Sequence, residues 1–396
     1  MTAQEQQQAL SGIRVIELGT LIAGPYAGAL LAQFGAEIIK IEPPGAGDPL
    51  RAWRRLHNGT SLWWYLQSRN KKSVAADLKS PEGQQAVRDL AAEADIVIEN
   101  FRPGTLEKWG LGWETLHALN PKLIMLRVSG YGQTGPRRDM PGFAAIAEAM
   151  GGLRYVTGFP DRPPVRAGIS IGDTLASLYG VFGVMTALHH VKVNNGPGQC
   201  VDMALYEAVF ATMESLVPEY SAQGFVRERS GASLPGISPS NTYLCRDGKH
   251  VVIAGNSDAL FCRLMSAIGR HDLGTDPALA GNAGRVARNA ELDEAIGAWT
   301  ALHDLETVIT TLESAEVPVG KIYTAADICS DPHYAARHML ETHTLPDGTT
   351  LQLPGIVPKL SATPGATRWL GPTLGQHTQA ICGQPEMPPA NTAARP

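Results

Sequence analysis

Through the first 130 or so residues, short β-branched runs alternate with segments of helical patterning, and this alternation restricts the fold more than any other feature. Ile13–Leu18 (IRVIEL) reads as a strand closed by Gly19. Pro25–Phe34 (PYAGALLAQF) has the small, apolar pattern of a packed helix and stops at Gly35. Glu37–Glu42 (EIIKIE) is a second strand, ended by Pro43-Pro44-Gly45, and Ser73–Ala76 is a short extended piece. Ser80-Pro81-Glu82 opens a helix with a cap residue, a proline in the first turn and an early acid. Asp95–Asn100 and Lys122–Ser129 are further strands. Strand–helix–strand units build parallel sheets with right-handed crossovers. The fold class is therefore α/β and doubly wound, with ligands expected at the carboxyl ends of the strands.

A length of 396 residues suggests about two to three domains. The net charge of −5, from 33 Lys+Arg against 38 Asp+Glu without long runs of one sign, argues against a nucleic-acid or anionic-membrane partner. No apolar run is read as reaching transmembrane length, and the polar start MTAQEQQQAL lacks the regions of a signal peptide. Cys200, Cys245, Cys262, Cys329 and Cys382 are scattered, with no C-x-x-C, which suits a reducing compartment better than disulfides or zinc. The expectation is a soluble, cytoplasmic protein. A dinucleotide fold fits poorly: Gly19-Thr20-Leu21-Ile22-Ala23-Gly24-Pro25 lacks the G-x-G-x-x-G spacing, and Glu42 alone at a strand end does not carry it.

The second organising stretch is Arg166–His190 (RAGISIGDTLASLYGVFGVMTALHH). Ile169–Ile171 reads as a strand running into Gly172-Asp173-Thr174, and a helix with hardly any polar surface follows. After Asp173 the next Asp, Glu, Lys or Arg is Lys192. Two readings of Asp173 stand on local sequence: an N-cap accepting free backbone N–H groups, or a nucleophile kept ionised by the helix dipole.

Further along, Val201–Tyr220 reads as a second long apolar helix after the Gly/Pro cluster Asn194–Gln199. Gly224–Asn241 shifts to Gly, Ser, Pro and Arg and reads as a linker or active-site loop. Thr242–Cys245 and His250–Ala254 form a hairpin; Leu260–Ile268 and Leu292–Leu312 are helical, and Val317–Tyr323 is strand-like. The domain division is 1–222 for the N-terminal part of a large domain, 223–240 for a linker, 241–325 for a small domain, and 326–396 for a return to the large one. The Pro/Ala-rich tail after Gln384 is expected to be disordered. His189 and His190 are adjacent and face different ways on a helix, and no metal-ligand set is visible, so no metal is expected.

Several phrases, in order over nearly the whole chain, resemble one family. They include Ala23-Gly24-Pro25, Gly35-Ala36-Glu37-x-Ile39-Lys40-Ile41-Glu42, Asn70-Lys71-Lys72-Ser73 and Asp77-Leu78-Lys79-x-Pro81-x-Gly83. Glu99-Asn100-Phe101-Arg102-Pro103-Gly104, Gly130-Tyr131-Gly132-Gln133-x-Gly135-Pro136, Gly172-Asp173 and Leu374-Gly375-Gln376-His377-Thr378 complete them. Together they resemble the class III CoA-transferases, the CaiB/BaiF type. The resemblance implies an intertwined homodimer, each subunit with a Rossmann-like large domain built from both ends of the chain and a smaller central α+β domain. It also implies that Asp173 is the nucleophile, forming first an aspartyl–acyl anhydride and then an aspartyl-CoA thioester. Such intermediates need shielding from water and N–H donors for each oxyanion. CoA thioesters are then substrates, with no permanently held cofactor, and the partners are an acyl-CoA, a small carboxylic acid and a second copy of the chain.

Carried over residue by residue, Asn100 and Lys108 stand at positions that hold the nucleotide part of CoA, and Lys79 at one that reaches a CoA phosphate. Pro43 replaces an arginine used after the second strand, so Arg51 or Arg54 is expected to serve instead. Ile22 falls where formyl- and oxalate-specific members use a glutamine beside the nucleophile; it marks a substrate-facing position and counts against those acceptors. The related α-methylacyl-CoA racemases need a His–Asp pair, and their histidine falls at Phe143, which carries no proton. Ala144 replaces an acid common in the transferases. With Pro43 and Ile22 it leaves a CoA-binding paralogue without turnover as one alternative, beside a racemase-like enzyme, which Phe143 disfavours.

Pro163–Gly168 and Leu234–Asn241 look most like members that pair succinyl-CoA with a C4 or C5 dicarboxylate: malate, citramalate, itaconate or hydroxymethylglutarate, with itaconate slightly favoured. Arg166 is the expected partner of the distal carboxylate, against the alternative that it binds a partner subunit or backbone.

Overall fold

The structure, a computed structural model, describes residues 7–383; the tail after Gln384 lies outside them. Two compact units form. The first comprises the described residues up to Leu153, then Ala167–Phe225 and those from His338 onward; the second comprises Arg154–Arg166 and Val226–Arg337. This division differs from the sequence division, which kept 154–166 in the large domain and ended the small one at 325. Within the second unit, Gly231 N–H donates to Gly158 O at 2.9 Å and Arg229 Nη1 to Tyr155 O at 3.0 Å. Two segments distant in sequence are joined there by one backbone–backbone and one side-chain–backbone hydrogen bond, which leave no periodic signal.

In the first unit, strands β1 (Arg14–Glu17), β2 (Glu37–Glu42), β3 (Lys71–Ala75), β4 (Ile96–Glu99), β5 (Ile124–Ser129) and β6 (Cys200–Ala204) form one parallel sheet in the order β3-β2-β1-β4-β5-β6. The strand runs read from sequence fall on β1 to β5. Side chains alternate between two apolar layers, as a pleated strand requires. Val15, Ile38, Ile98, Ile124 and Leu126 lie in the layer with helix α1 (Ala23–Gln33), while Ile16, Ile39, Val97 and Met125 lie in the one with α2 (Pro81–Ala92). Ser80 caps α2, its hydroxyl accepting from Gly83 N–H at 3.0 Å.

After α3 (Ala144–Met150) comes α4 (Ile171–Val193), and it corrects two readings. Ile169 and Ser170 are not a strand, and the helix begins two residues before Asp173. At 23 residues α4 is also long and apolar enough to cross a membrane by length and composition, contrary to the sequence reading. One face instead packs on the sheet through buried Ala176, Gly180, Val184, Ala187, Leu188 and Val191. Glycine is needed for that approach: a Cβ on Gly180 would stand 3.0 Å from Leu126 Cδ2, and one on Gly183 would stand 2.8 Å from Val201 Cγ1.

Val201–Tyr220 is not one helix. Its first residues are the edge strand β6, paired with β5, followed by the short helices α5 (Leu205–Phe210) and α6 (Leu216–Gln223). The open edge of β5 supplies hydrogen-bond partners that a local helical pattern does not reveal. Glu214, with φ 50°, ends the path between the two helices.

The second unit holds an antiparallel sheet, ordered β9-β8-β7, from β7 (Ser240–Leu244), β8 (His250–Ala254) and β9 (Val319–Lys321). Helices α7 (Asp258–Ala267), α8 (Asn289–Thr300) and α9 (Leu305–Ser314) cover it around Phe261, Leu264, Ile296 and Leu312. The hairpin expected at 242–254 is present; the helix expected over 292–312 is two helices, α8 and α9. In the first unit the returning chain forms hairpin β10 (Leu340–Thr344) and β11 (Thr350–Pro354), then runs along β3. There His377 N–H donates to Ser73 O at 2.9 Å and Ser73 N–H to His377 Nδ1 at 3.1 Å, which gives His377 a structural role.

Candidate active site

From β1 the chain proceeds outward to β2 and β3; from β4 it proceeds the other way to β5 and β6. The crevice between the carboxyl ends of β1 and β4 is therefore the topological switch point, where open α/β sheets bind ligands. Asn100, just past β4, spans it. Its Oδ1 accepts from Thr20 N–H at 2.8 Å and its Nδ2 donates to Thr20 O at 2.9 Å. The approach is so close that a Cβ on Gly19 would stand 2.5 Å from Asn100 Oδ1, which explains a glycine there.

Beneath this turn lies a buried set of charges. Lys40 Nζ is 2.9 Å from Glu17 Oε1 and 2.8 Å from Asp48 Oδ2, and Lys71 Nζ is 2.8 Å from Glu17 Oε2. Glu42 accepts both Nε and Nη2 of Arg51, at 2.7 and 2.8 Å, and the Ser73 hydroxyl at 2.6 Å. Burial acts against the charged forms of Lys40, Asp48, Glu42 and Lys71. At Lys40 the three carboxylates Glu17, Asp48 and Glu42 outweigh it and raise the pKa. At Asp48 burial is outweighed by Lys40, and at Glu42 by Arg51, so both carboxyls titrate below their ordinary range. At Lys71 burial wins, against the pull of Glu17, and brings the ammonium down to about 8.

Asp173 occupies the first turn of α4, half-buried, three residues after Ser170 at the cap position. The N-cap reading therefore does not hold; Asp173 lies where the positive end of the helix dipole favours an anion. Gly172 beside it packs under α3: a Cβ there would stand 3.3 Å from Ala144 Cβ and 3.5 Å from Cγ of the buried Glu148. Ser177 Oγ, one turn on, lies 2.8 Å from Asp173 O and 2.6 Å from Ala23 O. One hydroxyl hydrogen shared between two carbonyls thus joins the Asp173 turn to the start of α1, beside the switch point.

The other expected site residues are placed unevenly. Ile22 is the buried N-cap residue of α1, next to that junction. Asn100 is at the switch point, but both ends of its amide are engaged with Thr20. Arg51 commits three N–H groups internally, the third to Pro372 O at 3.1 Å, and lies 3.7 Å over the Trp64 ring. Arg54 is exposed over Trp63 at 4.5 Å. Lys79 and Lys108 are exposed, and neither ammonium has an ion-pair partner among the described residues. Arg166 is exposed at the end of the first segment of the second unit. Phe143 is 71% exposed at the N-cap of α3.

Lys40, Glu17 and Asp48 were not singled out from sequence. The signal was available: a lysine inside a strand of a doubly covered parallel sheet needs a carboxylate partner, because unpaired charges are almost never fully buried.

Residues 10–378 match the family model described as CoA-transferase family III. The succinyl-CoA–D-citramalate CoA-transferase of Chloroflexus aurantiacus is 52% identical over 382 residues, 96% of this chain and 95% of that protein. The beta subunit of the succinyl-CoA–L-malate CoA-transferase of the same organism is 43% identical over 376 residues, 94% of this chain and 93% of that protein. A solved CAIB/BAIF family protein from Brucella suis superimposes with a TM-score of 0.85 at 34% identity, covering 96% of this chain and 99% of that one.

Beside Asn100, Glu99 pairs in register with Arg127, its Oε1 2.7 Å from Nε, and Arg127 also holds Glu107 at 2.7 Å. Burial pushes Glu99 up to about 7 from an ordinary 4.5, against the pull of Arg127. Between those values the folded chain binds more protons than the unfolded one. The contribution of Glu99 is present in full below the unfolded pKa and is lost as pH rises through the folded one. Denaturant unfolding should therefore show stability declining from about pH 4.5 to 7, and Glu99→Gln should flatten that decline. A Glu99→Gln profile superimposable on wild type across this window would refute the assignment.

Proposed function

The chain belongs to CoA-transferase family III, and on that premise we propose that it moves CoA from succinyl-CoA to a C4 or C5 dicarboxylic acid through Asp173. One observation carries the reading: a half-buried aspartate in the first turn of a 23-residue apolar helix, joined through Ser177 to the start of α1 beside the switch point. An Asp173 carboxylate oxygen attacks the thioester carbonyl, the C–S bond breaks, and an aspartyl–succinyl anhydride forms. The released CoA thiolate attacks the aspartyl carbonyl and succinate leaves. The incoming acid then attacks the aspartyl thioester, expelling the thiolate and forming a second anhydride. Attack of the thiolate on its acyl carbonyl yields the new acyl-CoA and restores the Asp173 carboxylate. The helix dipole favours the anionic carboxylate at the start and end of the cycle.

Lys79 and Lys108, exposed and without an ion-pair partner among the described residues, supply point charges for CoA phosphates, whereas Arg51 is spent on Glu42. Arg166, seven residues before Asp173, pairs the distal carboxylate of the acid. The reading includes a homodimer, with support from α4. Its outward side exposes Leu178 by 48%, Phe182 by 72%, Met185 by 36% and Val193 by 66%, an apolar stripe at helical spacing. A helix apolar all round is one that is covered all round, and a second copy of the chain is the covering partner in this reading.

Asp173→Ala is expected to lower transfer by at least about 10³-fold with succinyl-CoA and a panel of citramalate, malate, itaconate and hydroxymethylglutarate. Hydroxylamine should trap a modified Asp173 in the wild type, and an active enzyme that yields no modified Asp173 would sink the mechanism. Arg166→Lys should raise the KM for the dicarboxylate about tenfold, with the succinyl-CoA KM little changed, because lysine lacks the planar fork. Phe182→Asp should convert a dimer to monomer in size exclusion with light scattering; a wild type that is already monomeric would remove the dimer from the reading.

A further inference from the structure

The turn between β1 and α1 has its backbone polar groups taken up by side chains. Lys40 Nζ donates to Gly19 O at 2.9 Å, and Asn100 engages both the N–H and the carbonyl of Thr20. Leu21 N–H donates to Asp48, 3.0 Å from Oδ1 and 3.2 Å from Oδ2, and Leu21 O accepts from Gln67 Nε2. Asp48 is fixed in turn by Lys40 and by Leu50 N–H at 2.8 Å, and both Asp48 and Gln67 are buried.

Leu21 has a φ of 64°, in the left-handed region that a residue with a Cβ adopts only at a steric cost. Such a conformation persists when its surroundings over-determine it, and it clusters at functional sites. The residues that follow are Ile22 and Ala23, and Ala23 O shares the Ser177 hydroxyl with Asp173 O.

We propose that Asp48 and Gln67 are positioning residues for acyl transfer: they hold Leu21 left-handed, and the held turn sets, through Ala23 and Ser177, the placement of the turn that carries Asp173. Relaxation of Leu21 to negative φ redirects the chain at Ile22 and draws Ala23 O away from Ser177. The inference rests on Asp173 as the nucleophile. A misplacement of about 1 Å at reacting atoms costs on the order of 10²-fold in rate, so the effect falls on the chemical step.

Two variants of the full chain test it. Gln67→Met removes the donor to Leu21 O and keeps the volume filled; Leu21→Gly added to it removes the steric cost of the left-handed conformation, so the turn keeps its place with the clamp weakened. Melting temperatures are expected within about 4 °C of wild type for each. In Gln67→Met, hydrogen–deuterium exchange should accelerate in peptides spanning 19–24 and also in those spanning 171–180. Its kcat should fall about tenfold while the KM values for succinyl-CoA and the acid stay within about twofold, the pattern of an interaction made in the transition state, and the added Leu21→Gly should return kcat toward wild type. Unchanged exchange at 19–24 in Gln67→Met overturns the clamp, and acceleration there with unchanged exchange at 171–180 overturns the coupling. Unchanged kcat with accelerated exchange in both regions overturns the catalytic role. The Asp173→Ala variant separates the two levels: if it transfers CoA as wild type does, the nucleophile reading fails, while the exchange results still decide the clamp.

Discussion

The first unit depends on a balanced set of buried charges. Three cations, Lys40, Lys71 and Arg51, face three carboxylates, Glu17, Glu42 and Asp48, at the ends of neighbouring strands and in the loop after β2. Removing one member would leave another uncompensated in a low-dielectric interior, a loss of about 3–5 kcal/mol. What the set contributes is geometry. Lys40 reaches the Gly19 carbonyl, Lys71 the Pro25 carbonyl at 2.6 Å, and Asp48 the Leu21 N–H, so the first loop of the sheet is held from below at two points and the first turn of α1 at a third. A loop held by hydrophobic contact alone would have no reason to keep Leu21 in its left-handed conformation.

Helix α4 carries that order to the candidate site. Small residues at Gly180 and Gly183 let it lie close to β5 and β6, and Ser177 fixes its first turn against the start of α1. Asp173 is thereby held at the positive end of a helix dipole by elements that are themselves anchored to the charge set. The same helix exposes Phe182 and its neighbours on the side away from the sheet.

Much of the architecture was legible from local pattern. β2 carries the bounds expected of Glu37–Glu42, and Ser80 caps α2 as Ser-Pro-Glu foretold. The misreadings share a cause. Val201–Tyr220 has a helix-like apolar content, but Cys200–Ala204 pairs with β5 because a distant strand offers an open edge. Arg154–Arg166 joins the second unit because its backbone meets residues some seventy positions later, at Gly158 and Gly231. Arg51 looked available for a phosphate until Glu42, nine residues back, took its fork.

Taken alone, the sequence determined the class of fold, the parallel order of strand and helix, and a single charged residue at the head of an apolar helix. These are consequences of periodicity and of residue type, and both are local. Only the tertiary structure decided that Asp173 lies inside the first turn and not at its cap, that Asn100 bridges the switch point to Thr20, and that Asp48 and Gln67 grip Leu21. Each of these is a hydrogen bond or a helix boundary set by packing between residues far apart in the chain. Partners of that kind are chosen by which buried groups must be satisfied once the sheet has formed, and no spacing within the sequence encodes the choice.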